Sequence, residues 1–221
     1  MRGMGVGILL LLTATFSVQG TAQIPDKLVF QGVIYDLQTN PLEPYFKAHP
    51  RKRPQPILPM TALWRGYVAT FEFRNNQLFL VDVETLRVTP VKHKGDPFRT
   101  VMISVFHTIF PGKKAVKADW FSGILVCPAG ERVEYVHMGY GTTFTFYHLY
   151  EIQSGDLRAR REYTLDEYKL FRKKQFEAFK ETEEYAQQAA ELKRTREWTQ
   201  ERIDDFLYSF IIEYTSRFLV E

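Results

Sequence analysis

At 221 residues, the chain has room for one good-sized domain, or one domain with an appendage. Its 45% hydrophobic content, with 15% aromatics, excludes a disordered polymer and implies a packed core. The net charge of +3, from nearly balanced acids and bases, excludes the dominant basic face of a nucleic-acid binder.

In chain order, the first segment reads as a secretory signal peptide over residues 1–22. Arg2 supplies the positive start, Val6 to Val18 the apolar run, and Gly20, Thr21 and Ala22 the small-residue exit. The preferred cut follows Ala22, with a cut after Gly20 as the alternative. The run is shorter than the roughly 20 apolar residues that span a bilayer, so no stable membrane anchor is expected after cleavage. Export places the mature chain in the periplasm or outside the cell. Cys127 is the only cysteine, so no internal disulfide is expected, and its apolar run Gly123–Pro128 suits a small buried hydrophobe.

A β-rich core is expected over residues 23–163. Leu28–Leu37 reads as a first strand with Gly32 as a bulge. Asn40–Met60 holds six prolines and reads as an irregular surface loop. Tyr67–Arg74 and Gln77–Glu84 form a hairpin across Asn75-Asn76, since asparagine tolerates the positive φ of a two-residue turn. Alternation sets Tyr67, Ala69, Phe71 and Phe73 on one face of it and Val68, Thr70, Glu72 and Arg74 on the other. Val101–Phe110 fits a buried strand or a short helix equally well. Strands follow at Ala115–Trp120, Gly123–Cys127 and Val133–His137. A second hairpin, Phe144–Ile152 with Leu157–Tyr163, turns at Ser154-Gly155-Asp156.

Residues 164–221 change character. Thr164-Leu-Asp-Glu167 fits a capping box, and the helix it opens is expected to run on through Glu181–Arg196. A second amphipathic run carries Ile203, Phe206, Leu207, Phe210, Ile211, Tyr214 and Phe218 on one broad face. The expected fold class is therefore α+β: a mainly antiparallel sheet, curled or barrel-like, followed by a C-terminal helical hairpin.

No phosphate loop, dinucleotide fingerprint, nucleophile elbow or metal-ligand spacing occurs, and the five histidines are scattered; no metal or cofactor is expected. Three segments combine large aromatics, glycine and one ionisable group: Trp64-Arg-Gly-Tyr67, Asp119-Trp-Phe-Ser-Gly123 and Tyr135-Val-His-Met-Gly-Tyr-Gly141. If they converge, Trp64, Arg65, Tyr67, Asp119, Trp120, His137 and Tyr140 share an aromatic-walled cleft for a small organic molecule or a sugar. The competing reading makes Arg65 and Asp119 a buried ion pair that supports the fold. Ser122, His137 and Asp119 also supply the residue types of a hydrolase triad, but Ser122 lies in no nucleophile turn.

The strings WRGYVATFEFRNNQLFLVDVE (64–84), ADWFSGIL (118–125) and YVHMGYG (135–141) resemble a family of uncharacterised bacterial proteins carrying these motifs in this order. The resemblance covers roughly residues 28–163 and implies a shared core, with no activity attached. Three function classes are carried forward. The first is an exported, non-catalytic binding or interaction module with a small-molecule, sugar or protein ligand. The second is a hydrolase-like enzyme using His137 and Asp119. The third is an inhibitor or immunity-type protein acting through the C-terminal helices.

Overall fold

The computed structural model describes residues 21–55, 60–89 and 99–221. The expected signal peptide lies outside these residues except for Thr21 and Ala22.

Residues 28–37, expected as one strand, belong to a hairpin of β1 (Asp26–Phe30) and β2 (Val33–Leu37). Gln31 and Gly32 take φ of 52° and 79°, the two left-handed positions of a tight turn, so Gly32 turns the chain rather than bulging it. The proline-rich stretch also departs from expectation, because it contains helix α1 (Glu43–Ala48). Pro44 sits in its first turn, where a missing N–H costs nothing, and Tyr45 and Phe46 are buried. Proline density suggested a loop; position within the helix made the proline harmless.

The expected hairpin is present as β3 (Val68–Arg74) and β4 (Gln77–Thr89), with Asn75 and Asn76 at φ of 50° and 58°. Tyr67, Ala69 and Phe71 are fully buried, while Thr70 and Glu72 are partly open and Arg74 is exposed. Residues 101–110 contain a strand and a helix: β5 (Arg99–Ser104) is largely exposed rather than buried, and the short helix α2 (Phe106–Ile109) buries Phe106 and Ile109. Only Val116–Lys117 of the next expected strand pairs, as β6.

The strands expected at 123–127 and 133–137 are one strand, β7 (Gly123–Glu134), and 135–137 lie beyond its end. Pro128 is tolerated within it because β7 is the last strand of the sheet path, where one side needs no ladder donor. β8 (Thr143–Gln153) and β9 (Asp156–Thr164) complete a nine-stranded sheet ordered β2-β1-β3-β4-β9-β8-β7, with β5 and β6 also on β4. All the pairs are antiparallel except β1 with β3. The ends of the path approach, as Gln38 N–H donates to the Val126 carbonyl at 2.8 Å. No ladder joins β2 to β7 among the described residues, so the sheet curls without closing into a barrel.

The C-terminal part holds four helices rather than a hairpin: α3 (Leu165–Lys180), α4 (Glu183–Arg196), α5 (Gln200–Ser209) and α6 (Ile211–Tyr214). The expected capping box opens α3. The helix does not run on through Glu181, because Thr182 accepts the Tyr185 N–H and starts a new helix. Phe171, Phe176, Phe179, Ile203, Leu207 and Ile211 pack against Ile124, Val126, Tyr147 and Leu149. The opposite face of the same strands gives Leu125, Cys127, Tyr150 and Ile152 to the core with Leu28, Tyr67, Phe71 and Leu80. Burial on both faces explains why residues 123–127 read as an unbroken apolar run. Burial also pushes the Cys127 thiol up, away from thiolate chemistry.

Candidate ligand-binding cavity

Arg65, three residues before β3, is only 2% exposed. Its ion-pair partner is Asp26 at 3.2 Å, fully buried at the head of β1, and not Asp119. Asp26 Oδ1 also accepts the Ala69 N–H at 2.9 Å, while Oδ2 has no hydrogen-bond partner among the described residues. Arg65 donates to the Ile24 carbonyl at 2.9 Å and to the Tyr140 hydroxyl at 2.6 Å. Tyr140 in turn donates to Asn40 Oδ1 at 2.8 Å. Beside this relay, the Tyr67 hydroxyl donates to Glu43 Oε1 at 2.8 Å, and Arg53 pairs with Glu43 Oε2 at 2.5 Å. Burial pushes the Asp26 carboxyl up to about 6, with Arg65 opposing the shift.

Asp119 is exposed, and its segment serves as a clasp. Ala118 N–H donates to Leu78, Leu78 N–H to Gly155, and Gly155 N–H to Phe121, all at 2.8 to 3.0 Å. These bonds lock the turns of both long hairpins together. Trp120 donates its indole N–H to the Pro41 carbonyl at 3.0 Å and packs on Tyr45 and Phe110. Gly155 has a φ of 78°, and a Cβ there would stand 2.9 Å from the Ala118 carbonyl oxygen. Gly155→Ala is therefore expected to cost at least about 1–3 kcal/mol, from left-handed strain with backbone crowding added. Urea denaturation checks this, and a loss below half a kcal/mol, by the ordinary scatter of surface substitutions at about 0.5 kcal/mol, contradicts it.

His137 is exposed and its Nδ1 lies 2.8 Å from the Tyr135 hydroxyl. The Ser122 hydroxyl oxygen accepts the Ser154 N–H at 2.9 Å. No hydrogen bond among the described residues links Ser122, His137 and Asp119.

The cavity itself lies between the sheet and the C-terminal helices and measures about 570 Å³. Phe121, Ser122, Gly123 and Ile124 form its floor as β7 begins. Phe179, Thr182 and Glu184 close one side, and residues 212–217 a second. Thr39, Asn40, Glu43 and Pro44 close the third, with Trp64 on the rim, 62% exposed. Of the seven residues singled out from sequence, only Trp64 lines this space. Arg65, Tyr67 and Tyr140 stand one layer behind and fix wall residues: Tyr140 holds Asn40, and Tyr67 holds Glu43. Asp119, Trp120 and His137 do not line it.

The residues missed from sequence are Asp26, Asn40, Glu43 and the helical wall. Asp26 had a readable signal, since it lies in phase with Leu28 and Phe30, an acid on the inward face of a strand. The helical wall had none, because only docking of the helices brings Thr182 and Glu213 to the sheet. No family model, curated protein or solved structure matches the chain.

Proposed function

We propose that the protein is an exported, non-catalytic binding module that holds a small molecule in the cavity between sheet and helices. The observation that carries this is a 570 Å³ hollow with an exposed tryptophan on its rim and walls braced by a buried network. That volume falls in the range of small-ligand sites, and a braced wall reduces the ordering cost of binding. The hydrolase alternative draws no support from the geometry: Ser122 reaches the cavity, yet its oxygen already accepts a backbone N–H. An inhibitor acting through the apolar face of the C-terminal helices is also disfavoured, because Ile203, Leu207 and Ile211 of that face are spent on the sheet and leave only its edge, at Phe210, exposed. The export half of the reading rests on Arg2 and the apolar run of residues 6–18; among the described residues no helix is long and apolar enough to cross a membrane.

A screen of aromatic fragments, read by tryptophan emission and confirmed by calorimetry, tests the binding half. Hits are expected to lose about tenfold or more in affinity in Trp64→Ala, as for a buried aromatic anchor, with little change in melting temperature. Hits that bind Trp64→Ala as tightly as the native protein would move the site elsewhere.

A further inference from the structure

Within that cavity, and resting on the binding reading above, the geometry points to an organic cation as the ligand: an ammonium head against Glu213 and Glu184, with its apolar body on Trp64 and Phe121. Four charged residues line the hollow: Glu43, Glu184, Glu213 and Arg217. Glu43 is already satisfied by Arg53 and Tyr67. Glu184, Glu213 and Arg217 take part in none of the ion pairs among the described residues. The free charge is thus two carboxylates against one guanidinium. Arg217 and Glu184 also line a shallower neighbouring hollow, which adds Glu183 and makes the rim more acidic still.

The two carboxylates are not equivalent. Glu184 stands in the first turn of α4, where the helix N-terminus already stabilises a negative charge. Glu213 opens only the four-residue α6, too short for a comparable dipole, and although it keeps contact with solvent, desolvation raises its carboxyl above the ordinary range. A cation placed beside it supplies the counter-charge that the protein does not. The exposed face of Trp64 adds attraction for the same ligand, since the negative face of an indole favours cations. An anionic ligand would meet Glu184, Glu213 and Glu43 with Arg217 alone in its favour, and a neutral one would leave Glu213 uncompensated.

Three probes of one shape separate these cases: 2-phenylethylammonium, 2-phenylethanol and phenylacetate, each titrated calorimetrically into native protein, Glu213→Gln and Trp64→Ala. The ammonium is expected to bind native protein about tenfold more tightly than the alcohol, and the acid least. Glu213→Gln is expected to bring ammonium and alcohol within about threefold of each other, and Trp64→Ala to weaken both. Equal binding of ammonium and alcohol by native protein overturns the cation assignment and leaves the binding module standing. So does a preference that survives Glu213→Gln. No heat from any probe up to about 10 mM, well beyond a millimolar dissociation constant, overturns both readings.

Discussion

Arg65→Met is expected to destabilise the protein by about 3–5 kcal/mol at pH 7, the usual cost of removing one partner from a buried pair. At this chain length that corresponds to a fall in melting temperature of roughly 6–20 °C. The reason lies in what remains. Asp26 is fully buried, with Oδ2 unpartnered among the described residues, and without Arg65 it must keep an uncompensated charge or take up a proton. The Ile24 carbonyl and the Tyr140 hydroxyl lose their donor as well. The double variant Asp26→Leu/Arg65→Met removes both charges and is expected to recover most of the loss, because apolar packing often replaces a buried pair at little cost. A double variant as unstable as Arg65→Met would show that the Tyr140 and Ile24 contacts, not the charge, carry the effect. Because Tyr140 holds Asn40 on the cavity wall, Arg65→Met should also weaken any ligand bound there.

Stability should also depend on pH through Asp26, with a sign opposite to that of most paired carboxylates. Its folded value of about 6 lies above the ordinary 3.8, so between these values the native state holds more protons than the unfolded chain. The contribution of this group is therefore fully present below about pH 4 and is lost as pH rises through 6. The gap corresponds to about 3 kcal/mol. Asp26→Asn removes this titration while leaving the others in place. The stability difference, native minus Asp26→Asn, should fall steadily as urea midpoints are measured from pH 4 to 7.5. A difference that grows over that range would mean that Arg65 outweighs burial and holds the carboxyl below its ordinary range. In the native protein alone the trend is offset only at the acid end of this range, where Asp156 and Glu167, both held below the ordinary carboxylate range by hydrogen bonds, act in the opposite direction, while Glu213, raised by desolvation, adds to it.

Both results bear on what the three sequence motifs are for. Gly66 and Gly139 take the left-handed conformations that glycine favours, and Ala118–Gly123 ties two hairpin turns together. Arg65 and Tyr140 join the segment before β1, the loop after β8's partner strand and the cavity wall through Ile24 and Asn40. Much of the three motifs is thus a folding device, and the part that reaches the cavity is Trp64 with the wall behind it.

What sequence alone determined here is local. Alternation placed Tyr67, Ala69 and Phe71 inward, Asn75-Asn76 specified a tight turn, and Thr164-x-x-Glu167 specified a helix start. Each is set by backbone conformation within a few residues, so each can be read without knowing the fold. Tertiary structure decided the rest. Which acid pairs with Arg65 depended on β1 lying parallel beside β3, a contact between residues far apart in sequence. The cavity required four helices to fold back over β7 and β8, bringing Glu213 and Thr182 to a floor formed by Phe121 and Ile124. Such pairings follow from packing the whole chain into one set of faces, and no local pattern encodes them.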